Sequence, residues 1–402
     1  MSQRTDVKAL HFAVFVFPDF GHVNPVLQTA RELMARGDRV TFVIDRRFAP
    51  LVEGTGARAV VYDSERGDFY RAAVPSPDQL AADGYALLME TMDKVYPLAM
   101  AAFQEDPPDV VLYDFESVIA ARMTAYRLGA VSVQFFPSHA ANDSFSLRAQ
   151  MWDAENPVMV KGAHAVVDFV RTNGVADADL GRFANEWDDR NLVFLPKLFQ
   201  MQGDIFDDSY AFTGPTVTEY AGPAWTPARD SERLALVSLG TESVARPGFL
   251  QDCADAFDSE RWHVVMTTGR GVDPARLGPV PEHVEIHAWL PHPAVLPRAD
   301  VLVCHGGMGS VMEALYYATP VVTLPQAHEL AISARRLEEL RVGRTVLPDR
   351  FTPDTLADAV DALTTDPDLA GRLAEVRTAV REAGGAAGAA DRLRAWAPQP
   401  RG

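Results

Sequence analysis

A histidine, an aspartate and a glycine-rich turn carry most of the chemistry legible in this chain of 402 residues. His22 stands in the run Gly21-His22-Val23-Asn24-Pro25, just after an apolar segment, Leu10 to Phe17, that reads as a buried first strand. Open α/β sheets place their ligands at the carboxyl ends of their strands. An imidazole there is suited to removing a proton near neutral pH. Such a base works best when a carboxylate fixes its tautomer. Asp114, closing the apolar run DVVLYD, is the candidate partner from another strand of the same sheet. A loop histidine taken alone is as readily structural; the pairing with Asp114 makes His22 the candidate base.

The second constellation is the strand VLVC running into His305-Gly306-Gly307-Met308-Gly309-Ser310 and then into a helical stretch. Glycines at such a turn let the backbone lie against a ligand. The first helical turn points unpaired N–H groups and a partial positive charge outward, which suits a diphosphate. Ser310 adds a hydroxyl and His305 an imidazole at the same place. Other groupings carry less. Asp177-Ala178-Asp179 has the D-x-D form of a metal motif but lies in a stretch that reads as a solvated turn. His283, His287 and His292 lack the spacing of zinc ligands. Ser238 lacks the G-x-S-x-G elbow of a hydrolase. No metal is expected.

These residues need strand ends to hold them, and the chain supplies strands in series. The first half repeats a short apolar run, a loop, an amphipathic helix and another apolar run. The helix VLQTARELMARG ends at Gly37, where a C-cap glycine belongs. VTFVI, Asp109 to Tyr113 and Val131 to Phe136 continue the series, with the helical AARMTAYRLG between the last two. Continuous apolar runs alternating with helices indicate a parallel sheet covered on both faces. From Thr213 the chain turns rich in Pro, Gly and Thr; LALVSLG then restarts the alternation, followed by WHVVMTTG, VEIHAWL, ADVLVCHGG and TPVVTLP. The expected architecture is α/β: two Rossmann-like, doubly wound domains facing each other across a cleft. The expected boundaries are a first Rossmann-like domain over residues 1–212, a linker over 213–231, a second Rossmann-like domain over 232–378, and a C-terminal helix over 379–402 that returns to the first domain.

Composition narrows the partners. The net charge of −18 argues against nucleic acid, which calls for a basic face. No run reaches the roughly 18 apolar residues of a membrane helix, and the apolar start carries no A-x-A-like cleavage site and stops at Pro18. Cys253 and Cys304 make no metal spacing and fit two buried thiols in a reducing compartment. The expectation is a soluble, cytoplasmic protein.

The stretch from Trp289 to Leu330 sharpens the second constellation. Trp289, Pro291, Leu296, His305, Gly307, Ser310, Glu313, Pro320 and Pro325 stand at the spacing of a donor-binding signature. It resembles that of the nucleotide-sugar glycosyltransferases with two Rossmann-like domains (the GT-B fold), and most closely the actinobacterial macrolide branch of the UDP-glycosyltransferase superfamily. HVNP, VLYD, VSLGT and AGGAAGAADRL extend the likeness over most of the chain. The resemblance implies that His22 and Asp114 are the catalytic dyad. It implies that Trp289 stacks on the nucleobase, that Glu313 takes the ribose hydroxyls, and that Thr241, with His305, Gly307, Gly309 and Ser310, holds the diphosphate. The sequence departs from the pattern in two places. His292 replaces a glutamine after the W-x-P, and Glu329-Leu330 replaces an Asp-Gln pair that holds donor sugar hydroxyls. Phe69, Tyr70, Tyr85, Phe145 and Trp152 suit an apolar acceptor such as a polyketide, and suit a core equally. The implied activity is inverting, metal-independent and cofactor-free transfer of a hexose from a UDP- or dTDP-sugar to a small hydroxylated aglycone, with a homodimer left open. The alternatives are a non-catalytic helper of glycosyltransferase type and a nucleotide-sugar epimerase.

Overall fold

The computed structural model describes residues 9–64, 76–151, 153–238, 248–269 and 280–398. The chain divides into two compact units. Of the described residues, the first comprises those up to Thr216 together with those from Ala383 onward, and the second comprises those within Val217–Glu382. Residues 213–231 carry neither helix nor strand.

The strands of the first unit are His11–Phe15 (β1), Arg39–Asp45 (β2), Arg58–Tyr62 (β3), Val110–Tyr113 (β4), Val131–Phe136 (β5), Asn191–Val193 (β6) and Tyr210–Phe212 (β7). They form one sheet in the order β3-β2-β1-β4-β5-β6-β7, and every neighbouring pair is parallel. Strands of this kind are apolar without alternation because both faces are covered. In β1, Phe12 and Val14 enter one buried cluster with Leu27 and Leu33. Ala13 and Phe15 point the other way, into a cluster with Met92, Phe103 and Ile119.

The helix Phe20–Ala35 follows β1, its N-terminus capped by Asp19, whose carboxylate accepts from the Gly21 N–H. It therefore starts six residues earlier than the sequence pattern suggests, and His22 lies in its first turn rather than in a loop. Pro25, inside the helix, obscures that start: it withholds the N–H that would reach the Gly21 carbonyl, and the helix runs through it with that one ladder bond missing. At the other end Gly37 has φ +90°. Its N–H reaches the Met34 carbonyl, and the Asp38 N–H reaches that of Leu33, the paired bonds of a left-handed helix end.

The last helix, Gly385–Trp396, belongs to the first unit. Ala389, Ala390 and Leu393 are fully buried in the same cluster as Phe12 and Leu33. Arg394 pairs with the buried Asp38, Arg36 with Asp391, and the Gly385 N–H donates to the Thr213 carbonyl at 2.6 Å.

The second unit has Arg233–Ser238 (β8), Trp262–Thr267 (β9), Val284–His287 (β10), Val301–Cys304 (β11), Val321–Thr323 (β12) and Gly343–Thr345 (β13). The order is β10-β9-β8-β11-β12-β13, again parallel throughout. Each sheet thus has one place where the strand order reverses, between β1 and β4 and between β8 and β11. Doubly wound sheets bind ligands outside the carboxyl ends of the strands at such a switch point.

Leu393→Ala should cost the protein about 2–5 kcal/mol, because the side chain is wholly buried against the first sheet. Urea unfolding followed by circular dichroism should show a lowered midpoint, whereas the exposed Glu375→Ala should stay within about 0.5 kcal/mol of wild type. Equal stability of the two variants would refute the packing of this helix.

Candidate active site

The first switch point brings His22 and Asp114 together. Strands β1 and β4 pair so that Phe15 lies beside Tyr113, and the chain leaves β4 directly into Asp114. The Asp114 side chain is fully buried. Its Oδ2 accepts the Phe17 N–H at 2.6 Å and His22 Nδ1 at 3.0 Å, and its Oδ1 accepts the Ser117 N–H at 3.2 Å. A carboxylate only accepts, so Nδ1 of His22 carries the hydrogen and Nε2 is the nitrogen left to act as a base. The edge of the Phe17 ring packs on the imidazole, with centroids 5.3 Å apart. The His22 side chain remains 24% exposed, which keeps the ring within reach of a ligand.

Burial alone would lower the basicity of His22. The Asp114 hydrogen bond, reinforced by the charges of Glu116, Asp114 and Asp19, overrides it and pushes the imidazole up to about 10. Sequence reading passed over Glu116. Its Oε2 lies 3.9 Å from His22 Nδ1 because Asp114 caps a single helical turn, Phe115–Ser117, that folds the chain back toward the imidazole. The signal was present as a second carboxylate two residues beyond Asp114, but only the turn makes it a neighbour. Burial raises the Glu116 carboxyl above its ordinary range, against the pull of the His22 cation.

The second switch point assembles most of the donor-type residues. The chain leaves β11 through His305, Gly306 and Gly307 into the helix Met308–Tyr316. Gly306 has φ +91°, and a Cβ there would lie 3.2 Å from the Leu330 carbonyl oxygen. At Gly307 a Cβ would sit 2.4 Å from the His305 ring. The two glycines thus let the turn pass between the imidazole and the start of helix His328–Glu339, which carries an exposed Glu329 and a half-buried Leu330. No side chain caps the Met308 helix, and by helix geometry its first-turn N–H groups face outward beside Gly309 and Ser310. Cys304 just before the turn is inert as a nucleophile, since burial pushes its thiol up to about 12. Trp289, beyond β10, is 71% exposed, a large aromatic face open to a planar group.

Two of the residues read as donor contacts are also bonded to each other. His292 Nδ1 donates to Glu313 Oε2 at 3.0 Å, and the Ser238 hydroxyl at the end of β8 donates to His292 Nε2 at 3.1 Å. The order Ser–His–Glu has the connectivity of a hydrolase triad, yet Ser238 is only 2% exposed and offers no nucleophile to a substrate. The triad holds Glu313 in place. Thr241 lies outside the described residues, as do Phe69, Tyr70 and Trp152. Phe145 is core, packed on His139 and Phe206, whereas Tyr85 is half-buried under Lys161.

The remaining candidates are structural. Asp177 pairs with Arg171 and Asp179 accepts from the Tyr126 hydroxyl. His263 and His287 both bind Glu285, while His283 bonds the Ala254 carbonyl. A cavity of about 950 Å³ in the first unit is lined by Arg122 and Asp188 among others. Arg122 is fully engaged with Tyr113, Gln134 and the carbonyls of Arg182, Asn185 and Trp187, so it is a staple for that loop and not a ligand site.

Known proteins share the fold and much of the sequence. Residues 250–385 match the family described as erythromycin biosynthesis protein CIII-like, C-terminal domain. Over 95% of its length the chain is 33% identical to the demethyllactenocin mycarosyltransferase of Streptomyces fradiae, covering 85% of that protein. It is equally identical, over 98% of its length and 92% of the relative, to the oleandomycin glycosyltransferase of Streptomyces antibioticus. The crystal structure of the calicheamicin glycosyltransferase CalG4 superposes with a TM-score of 0.87 at 34% identity, covering 97% of this chain and 98% of that one. The chain belongs to the macrolide-type antibiotic glycosyltransferases and is an enzyme of the GT-B fold.

Proposed function

We propose that the enzyme moves a hexose from a UDP- or dTDP-linked donor to a hydroxyl of a small apolar natural product of macrolide or polyketide type, with inversion and without a metal ion. The observation that carries the reading is the His22–Asp114 pair at the first switch point. His22 Nε2 takes the acceptor's hydroxyl proton while that oxygen bonds to the anomeric carbon. The bond from that carbon to the nucleoside diphosphate breaks on the opposite face. Asp114 stabilises the imidazolium as it forms. The leaving diphosphate meets the N-terminus of helix Met308–Tyr316, Ser310 and His305. Trp289 takes the base and Glu313 the ribose. A helper protein or an epimerase has no use for a fixed base outside the donor half. Buried thiols at Cys253 and Cys304 fit a cytoplasmic setting, and no helix of the described residues is long and apolar enough to cross a membrane.

The absence of a metal requirement rests on the donor set. Although His22, Asp114 and Glu116 offer ligand atoms within 4.8 Å of one another, Asp114 already accepts three N–H hydrogens. Little of its acceptor capacity is left for a cation.

His22→Ala should lower transfer by about 10²–10⁴-fold while the nucleoside diphosphate still binds by calorimetry; near-normal turnover would remove His22 from the reaction. The base works only when neutral, and its folded pKa is raised. Therefore kcat/KM should climb with pH through the alkaline range rather than level off near 6.5. Asp114→Asn removes the main raising interaction and should shift that limb down in pH while reducing the plateau.

Activity should survive excess chelator. Loss on chelation with rescue by magnesium or manganese would reassign the diphosphate contacts.

Leu330 presents no hydrogen-bonding group where related enzymes hold a sugar hydroxyl. A hydroxyl buried against it unpaired costs about 1–3 kcal/mol, roughly tenfold or more in preference. In competition, wild type should favour a dTDP-deoxysugar over UDP-glucose, and Leu330→Gln should narrow the gap. Preference of wild type for UDP-glucose, unchanged in the variant, would refute this role.

A further inference from the structure

We propose that Glu116 is a positioning residue for the transfer, a second carboxylate that acts on the base His22 through space alongside Asp114. The inference rests on the reading of His22 as the base. The two carboxylates approach one imidazole in different ways. Asp114 bonds Nδ1 at 3.0 Å and so fixes ring and tautomer. Glu116 stands at 3.9 Å, beyond hydrogen-bond reach, so its action is electrostatic. The geometry that holds it there is local and specific. Asp114 accepts the Ser117 N–H, the turn Phe115–Ser117 closes, and the Glu116 side chain returns over the helix start that carries His22.

Among the described residues, four further charged groups bear on this pair directly or through one another: Asp114, Asp19, Arg148 and Glu186. Asp114 comes from the end of β4 and Asp19 from the loop after β1. From helix Leu147–Met151, Arg148 faces Glu116 with its guanidinium 3.7 Å over the Phe115 ring, and Glu186 stands near Arg148 in turn. Arg148 favours the ionised form of Glu116, while burial opposes it.

The chemical consequence is a choice of acceptor. A base that holds its proton more tightly transfers it more readily from a weakly acidic hydroxyl, since proton transfer follows the driving force. The second carboxylate therefore suits His22 to an aliphatic alcohol, at the cost of a smaller neutral fraction at low pH. A unit charge near 4 Å in a partly solvated site changes proton affinity by about tenfold or more.

The test is a titration of the full chain labelled with 13C at histidine Cε1, with the His22 signal assigned by its loss in His22→Gln. Wild type should titrate well above 6.5. Glu116→Gln should lower the midpoint by about one pH unit, a tenfold loss of proton affinity, whereas Glu116→Asp, which keeps the charge, should restore most of it. A midpoint in Glu116→Gln within 0.3 unit of wild type, or an equal fall in Glu116→Asp, overturns the proposal and leaves His22 as base untouched. Coupling is reciprocal. In His22→Gln the Glu116 carboxyl, followed by its own 13C signal, should titrate higher by a similar margin, and an unmoved carboxyl overturns the proposal even where Glu116→Gln does not fold. Should His22→Ala retain full transfer activity, the base reading fails instead, whatever the titrations give.

Discussion

Asp114 has no contact with solvent, yet three N–H groups from separate parts of the first unit close on its carboxylate. One leaves the end of β1, one lies in the turn after β4, and one is the imidazole in the first helical turn. A buried carboxylate without such partners would cost several kcal/mol. Satisfying it draws the strand end, the turn and the ring into a single arrangement. Backbone and imidazole are therefore held by the same carboxylate, and neither shifts without disturbing the other. The pairing of Phe15 with Tyr113 is the condition for all of it, since only adjacent β1 and β4 put both strand ends beside one carboxylate.

The second unit obeys the same rule with different means. Cys304 pairs with Ser238 across β11 and β8, so the serine and the glycine turn emerge side by side. Polar satisfaction here passes through His292 to Glu313, and close approach replaces the buried charge as the organising constraint. Side chains at Gly306 or Gly307 would collide with Leu330 or His305. One unit is organised around a buried carboxylate and an imidazole, the other around a glycine turn leading into an uncapped helix start.

Much of this was readable before any coordinates. The long apolar strands, Gly37 as a helix end and the glycine turn after β11 all follow from local pattern, where residue type and neighbour spacing decide the outcome; the His22–Asp114 pair, 92 positions apart, follows from the rule that places ligand-side residues at neighbouring strand ends. What escaped depends on chain reversal or on short range. β6, β7 and β13 have three residues each, too few to show a period. The start of the first helix was hidden by Pro25, which reads as a breaker although the helix runs through it. Glu116 could not be weighed without knowing that Asp114 caps a turn. The bond between His292 and Glu313 joins residues 21 positions apart, a pairing that no local pattern reveals. Phe145 shows the limit of composition, for an aromatic in a variable stretch serves a pocket or a core with the same sequence signature.

The last helix closes the first sheet with residues made after the entire second unit. During synthesis, the face formed by Phe12, Leu27 and Leu33 is complete as sequence long before Ala389, Ala390 and Leu393 exist to cover it. Asp38 likewise must wait for Arg394. Domains otherwise tend to fold in order as they emerge from the ribosome, but here the half that carries His22 and Asp114 finishes last. The nascent chain exposes an uncovered apolar surface through the whole translation of its other half, and chaperone demand and truncation sensitivity are written into the topology rather than into the chemistry of the site.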